Sequence, residues 1–271
     1  MYTKYLTFIL VSLVFLLNGC DAISTTKNDE NKISETPKEH TNNEASTYTT
    51  TSENTHTVLK QIDVLVVVDS NEAGTQNGST STKIDHFISV TNKIFQNSTV
   101  PAKLNVVKIQ PYSFKPKNSK DALSEIYHSK SIAAVRDASH ADIVIIYRNN
   151  ANDGVCGIAY LNKALDKNIG YAHVSLRCPS TTTAHEVGHT MGLAHSTKKT
   201  SKHGHLAYGH GYGITGEFST IMSYKSTYST SVRVFNYSSP DIECQGYECG
   251  NESANSVKAL QNSINRVASF R

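Results

Sequence analysis

Four side chains that could share one chemistry fall in a single run, AHEVGHTMGLAH, from Ala184 to His195. His185 and His189 are four residues apart, which on an α-helix puts them on one face with Cβ atoms about 5–6 Å apart. Several neutral imidazoles are costly to bury alone, and a metal ion is their simplest common partner. Two nitrogens at this spacing can reach one tetrahedral zinc ion. Glu186 is turned about 100° around the helix from His185, near the metal but out of line with its ligands. That is the place of a general base acting on a water at the metal. Gly192 follows His189 by three residues and can end the helix in a left-handed turn, which costs a residue with a Cβ about 1–2 kcal/mol. The chain can then double back and bring in His195 as third ligand, with the fourth position left open as a catalytic zinc site requires. Ordinary core histidines are the plain alternative, but the five fixed positions of H-E-x-x-H-x-x-G-x-x-H make a chance match rare. A thermolysin-like ligand set using Glu217 or Glu243 is disfavoured, because His195 is already placed to serve. His203, His205 and His210 read most simply as solvent-facing, with a second metal there as the weaker reading.

Such a helix needs a scaffold. IDVLVVV (62–68) and ADIVIIY (141–147) are near-continuous β-branched runs, the pattern of strands covered on both faces. KLNVVKI (103–109) is a further strand, and CGIAYL (156–161) and YAHVSL (171–176) add two more. Ile84, Phe87, Ile88, Thr91, Ile94 and Phe95 recur at helical spacing. Leu123, Ile126, Tyr127 and Lys130 begin a second helix, and Val257, Leu260, Ile264 and Val267 lie on one face of a last one. The order β-α-β-α-β implies an α/β fold with a mostly parallel sheet. Residues 58–271 are long enough for one domain with its own core.

The long histidine motif resembles that of the metzincin metalloproteases. These enzymes carry a tight methionine turn beneath the zinc, and STIMSY (219–224) supplies Met222 for it. Tyr224 matches the position where astacin-like and serralysin-like members place a tyrosine near the metal; a packing tyrosine is the alternative. CGIAYL, TIMSY, NYSSPDI (236–242) and a closing helix ending RVASFR, in that order, are similar to the bacterial reprolysin-like enzymes. Within these the likeness is to the peptidyl-Asp metalloendopeptidase group, over roughly 62–271. Two departures stand out: Ser196 is where reprolysins have aspartate, and the stretch after Met222 lacks the cysteines of the peptidyl-Asp group.

The resemblance implies a metzincin-like catalytic domain with a five-stranded sheet, a zinc helix, and an irregular lower subdomain closed by the C-terminal helix. It also implies an antiparallel edge strand, for which CGIAYL is the candidate, able to bind an extended peptide by strand addition. Finally, it implies that the segment after Met222 walls the pocket for the residue following the scissile bond. That segment, KSTYSTSVRVFNYSSP (225–240), holds two cations, Lys225 and Arg233, and no acid. An arginine can clamp a carboxylate with two parallel hydrogen bonds, so Arg233 is expected to read an aspartate. If both cations instead face solvent, the pocket is apolar and lined by Val232, Val234 or Phe235.

Residues 1–20 read as an export leader, with Lys4 as the sole charge and an apolar run from Leu6 to Leu17 that is short for a membrane span. The ending LNGC resembles a bacterial lipobox, which implies cleavage before Cys20 and lipid attachment there. An ordinary signal peptide is the alternative, although Leu17 is bulky for the small-residue cleavage pattern. Residues 21–57 are Thr, Ser, Asn, Glu and Lys with few large apolar residues, the composition of a disordered tether. An inhibitory propeptide is the weaker reading, since the segment has no cysteine to act as a switch. The four further cysteines, Cys156, Cys178, Cys244 and Cys249, suggest disulfides in an oxidising compartment. Of three possible pairings, Cys244–Cys249 and Cys156–Cys178 are favoured, because Cys244 and Cys249 flank the turn-like QGYE. A formal charge of +3 without a basic cluster gives no reason to expect nucleic acid.

Together these features predict a Zn2+-dependent endopeptidase, monomeric, acting on protein or peptide substrates. It is expected in a bacterial cell envelope, lipid-anchored on the periplasmic face or the cell surface. The rival is a non-catalytic surface lipoprotein, an adhesin or binding module with a structural zinc. An intact Glu186 and an open fourth ligand position argue against it, because binding needs neither.

Overall fold

The computed structural model describes residues 58–73, 79–116, 118–149 and 153–271. The expected leader, Cys20 and the tether lie outside the described residues. In chain order the first part runs β1 (Lys60–Asp69), α1 (Ser70–Ala73), α2 (Ser79–Asn97), β2 (Ala102–Tyr112), α3 (Ser119–His128) and α4 (Lys130–Ala138). It continues with β3 (Ile143–Arg148), β4 (Gly157–Ala159), β5 (Tyr171–Ser175) and α5 (Thr181–Thr190). Two short pairs follow, β6 (Gly213–Ile214) with β7 (Phe218–Ser219) and β8 (Glu243–Cys244) with β9 (Tyr247–Glu248), before α6 (Ser256–Val267).

Strands β2-β1-β3-β5-β4 form one sheet in that order, parallel except for β4, which pairs antiparallel with β5 at the edge. The β-branched runs are buried on both faces because each strand alternates between two cores. Ile62, Val64, Val66 and Val68 of β1 face α2, α5 and α6, whereas Leu65 and Val67 face α3 and α4. Each fully buried aliphatic side chain contributes roughly 1.5–3 kcal/mol, so this double-sided burial makes a firm platform. The six periodic positions of α2 are all buried, as their spacing requires. The helix α5 rests on the same face as α2 through Ala184, Val187 and Met191, which turns His185 and His189 away from the sheet.

The sequence pattern is corrected in two elements. The single helix expected from Leu123 through Lys130 is two, because Ser129 ends α3 and its hydroxyl accepts from Ile132 N to cap α4. The six-residue run CGIAYL contributes only three residues to the edge strand. After His195 the chain is mostly irregular. A small core of Phe218, Val234 and the Cys244–Cys249 disulfide anchors it.

Candidate active site

The helix α5 delivers His185 and His189 one turn apart, and the chain then reverses. Gly192 takes φ +92°, and the Gly192 and Leu193 amides donate back to His189 O and Gly188 O at 3.0 and 2.8 Å, satisfying carbonyls the helix end would leave open. Ala194 then bridges to His210, which carries His195 back across the helix end.

Each helix histidine is oriented by a backbone carbonyl. His185 Nδ1 donates to Ile221 O at 2.7 Å and His189 Nδ1 to Leu193 O at 2.8 Å. A carbonyl only accepts, so both protons sit on Nδ1 and both Nε2 lone pairs point inward. Each Nε2 lies 3.0 Å from His195 Nε2. Tetrahedral zinc holds nitrogen ligands about 3.3 Å apart, close to this separation. Burial pushes all three rings down, His185 well below its ordinary value and His189 to about 4, so the cluster is neutral near pH 7. Convergent neutral nitrogens with no proton between the two helix rings are the donor set of a metal site. These three are the one group of that kind among the described residues. Glu217 and Glu243 are exposed and stand outside it.

Glu186 lies beside this cluster at 4% exposure, and burial pushes its carboxyl up to about 8. It lines a cleft of about 740 Å³ with His185, Tyr224, Arg233 and the edge-strand residue Gly157. Tyr224 places its hydroxyl 3.2 Å from His195 Nε2. Met222 is fully buried in the core that holds Val187 and Met191, with its sulfur against Gly188 of α5.

Arg233 is in this cleft, half-buried, and not on the solvent side. Its Nη1 donates to Ile221 O at 3.0 Å and its Nη2 to Ser223 O at 2.6 Å. Ile221 O is also the carbonyl that orients His185, so Arg233 braces the turn behind a cluster histidine. Lys225 lines the same cleft and is exposed. Cys156 pairs with Cys178, tying the start of β4 to the loop that leads into α5, and Cys244 pairs with Cys249 across the β8–β9 hairpin.

His210 corrects the expectation of solvent-facing histidines. His203 and His205 are exposed, but His210 is fully buried. Its Nδ1 donates to His195 O at 2.6 Å, and its Nε2 accepts from His203 Nδ1 at 2.8 Å. No periodicity marks it; the signal is only its nearness in sequence to His195 in a His-rich stretch.

A family model described as reprolysin-like, of the M12B metallo-peptidases, matches residues 81–196. A peptidyl-Asp metalloendopeptidase of Pseudomonas aeruginosa is 27% identical over 243 residues, covering 78% of this chain and 40% of its own length. One from Xanthomonas campestris pv. campestris is 26% identical over 221 residues, covering 78% of this chain and 52% of its own. This chain thus spans about half the length of the curated relatives it matches, or less. A solved structure described as a chaperone–substrate complex superposes with a TM-score of 0.67 at 21% identity, covering 78% of this chain and 36% of that one, a likeness of fold.

Proposed function

From the premise that this chain carries a reprolysin-like metallopeptidase domain, we propose that it is a zinc-dependent endopeptidase. The observation that carries the reading is the trio of convergent Nε2 atoms, two of them with inward lone pairs, beside a buried carboxyl at the floor of an open cleft. Bound zinc supplies a Lewis acid that polarises the scissile carbonyl, acidifies a water and, by its charge, holds Glu186 ionised. His185, His189 and His195 hold the metal. Glu186 accepts the proton of the attacking water and returns it to the amide nitrogen as the C–N bond breaks. The Tyr224 hydroxyl, on the cleft side of His195, donates to the oxyanion of the tetrahedral intermediate. The outer edge of β4 pairs with the extended substrate.

For the residue after the cut we propose aspartate, read by the Arg233 donors that the turn leaves over, with Lys225 adding charge at the rim. The name of the two relatives points the same way. We place the domain outside the cytoplasm, anchored through Cys20; support comes from the apolar run ending in LNGC and from two disulfides.

The test is a peptide library digested by the zinc-loaded protein, with and without chelator and with Glu186→Gln. Cleavage that chelator abolishes, that Glu186→Gln reduces by about 10²-fold or more while retaining zinc, and that is enriched for aspartate after the cut is expected. A wild-type protein that binds zinc and cuts nothing would return the chain to the binding-module class. Cleavage without aspartate enrichment would remove only the specificity.

A further inference from the structure

The edge strand carries its smallest residues on one face. Gly157 and Ala159 share a side of β4, whereas Ile158 turns to the core under α3 and α4. Gly157 stands opposite Val174, whose side chain lies in the core that also holds Ala184 and Val187 of α5. The glycine side of β4 therefore faces the helix of the histidines. A Cβ at position 157 would overlap Oε1 of Glu186 and lie 2.7 Å from its Cγ and 2.7 Å from the Thr182 methyl. Real carbon atoms do not approach so closely, so the carboxyl of Glu186 occupies the volume a side chain at 157 would need.

The backbone gives no other reason for glycine here. Among the described residues the glycines with positive φ are Gly154, Gly192, Gly216 and Gly246, and Gly157 is not one of them. The strand is also restrained from sliding aside. The Ser175 amide donates to Cys156 O at 2.8 Å, and the disulfide Cys156–Cys178 fastens the same point to the loop before α5. The edge strand is thus held on one side, and the base fills the gap on the other.

We propose that Gly157 is a positioning residue for the catalytic carboxylate: its missing side chain is the seat that fixes where the oxygens of Glu186 lie. Because β4 is also the edge on which a substrate strand would pair, one glycine sets the base relative to the peptide it acts on. A methyl at 157 drives the carboxylate towards the histidines or pushes the edge strand outward. Either shift misaligns the proton transfer, and misplacement by about 1 Å costs on the order of 10²-fold in rate.

The catalytic half of the proposal rests on the peptidase reading; the seat itself does not, and the test separates them. In the full zinc-loaded chain, Gly157→Ala is expected to lower kcat by about 10²-fold, with KM within about threefold and zinc bound one to one. Melting temperatures then read the seat without any activity. Thr182→Ser first removes the second clash. In that background Gly157→Ala should lower the melting temperature, and in Thr182→Ser with Glu186→Ala the same change should cost less than about half as much. If Gly157→Ala does not fold with Glu186 present but folds with Glu186→Ala, the seat is supported. A kcat within about twofold of wild type, or equal melting losses in both backgrounds, overturns the proposal. A wild-type chain without hydrolysis defeats the peptidase reading, while the melting comparison still decides the seat.

Discussion

Two histidines of the cluster stand on a helix and the third on a loop, and the two parts of the chain hold them by different means. In the sheet-and-helix part, backbone ladders fix position. His185, Glu186 and His189 lie where the turn of α5 puts them, and α5 lies where Val187 and Met191 meet the sheet. In the part after Gly192 there is little ladder, and side chains bond to backbone instead. Thr220 and Ser223 donate to Tyr212 O, Arg233 to Ile221 O and Ser223 O, Ser238 and Ser256 to His210 O, and His210 to His195 O. A carbonyl left without such a donor costs about 1–3 kcal/mol when buried, so these polar side chains do for the irregular part what periodic bonds do for the regular one. A position set by a helix tolerates change anywhere off its buried face. A position set by single side chains fails one residue at a time.

The largest effect is expected at the three clustered histidines, where the two parts meet. His189→Ala should empty the site and bring hydrolysis to the level seen with chelator, measured as zinc per chain and peptide turnover. The zinc-free melting temperature should fall only by what the lost bond to Leu193 O costs, about 1–3 kcal/mol, because the helix is held by its other face. Retained zinc, or a melt that collapses, would show that the histidine holds the helix and not the reverse.

Next comes acid. His173 lies in β5, fully buried on the face away from the histidine cluster; burial first and then the Arg148 charge push it down to about 4, with Asp153 opposing. The ordinary value is 6.5, so as pH falls the unfolded chain takes up this proton before the folded one does. The stability is complete above 6.5 and is lost as pH drops towards 4, by about 3 kcal/mol in all. Urea unfolding near pH 7.5 and about pH 4.5 should show this loss on top of that from His185, His189 and His195, which burial shifts the same way, and His173→Leu should remove only its own share. An equal acid loss in that variant would move the weak point out of β5 and to the histidine cluster.

The same contrast explains what can be read without coordinates. Ile84 through Phe95 repeat at helical spacing and all six are buried, and the β-branched runs are the central strands, because one dominant force, apolar burial, acts on each residue in phase. The convergence of the three histidines was legible for the same reason: a helix turn and a glycine stop leave His195 few places to go. Apolar period says nothing about Ser129, whose hydroxyl divides one expected helix into two. Nor does it show His210, buried because Ala194 bridges to it sixteen residues along, or the double duty of Ile221 O. The strands β6 to β9 have two residues each, too few for alternation to register.

Arg233 should give the next effect. Its truncation leaves the carbonyls of Ile221 and Ser223 without their guanidinium partner, which at about 1.5 kcal/mol for each charged hydrogen bond predicts a loss near 3 kcal/mol in Arg233→Ala. The change also loosens the carbonyl that orients His185, so zinc should dissociate faster. Arg233→Lys, a point charge without the fork, should keep part of the attraction for an acidic substrate and little of the brace. A variant that loses aspartate preference at full stability would make Arg233 a reader alone.

The smallest effect, and the sharpest for the comparison, is expected at His210, behind the loop histidine of the cluster. His210 holds His195 through the backbone and not through the ring, so its loss leaves the ligand present but its loop free to drift. Such supporting partners typically change metal affinity by about 10–100-fold, and that is the expectation for His210→Ala, read by competition with a coloured chelator. Burial of His210 complicates the alanine, because truncation also leaves a hole. His203 provides the control: it is exposed, and its ring donates to His210 Nε2, so His203→Ala removes a support of the support and leaves the core intact. Its effect should have the same sign and be weaker than that of His210→Ala. If His203→Ala weakens zinc while His210→Ala does not, the relay runs through some other route and the loop is held by the Ala194 bridge alone. If neither changes zinc affinity, the irregular part is as redundantly held as the helix, and the difference between the two parts is one of appearance only.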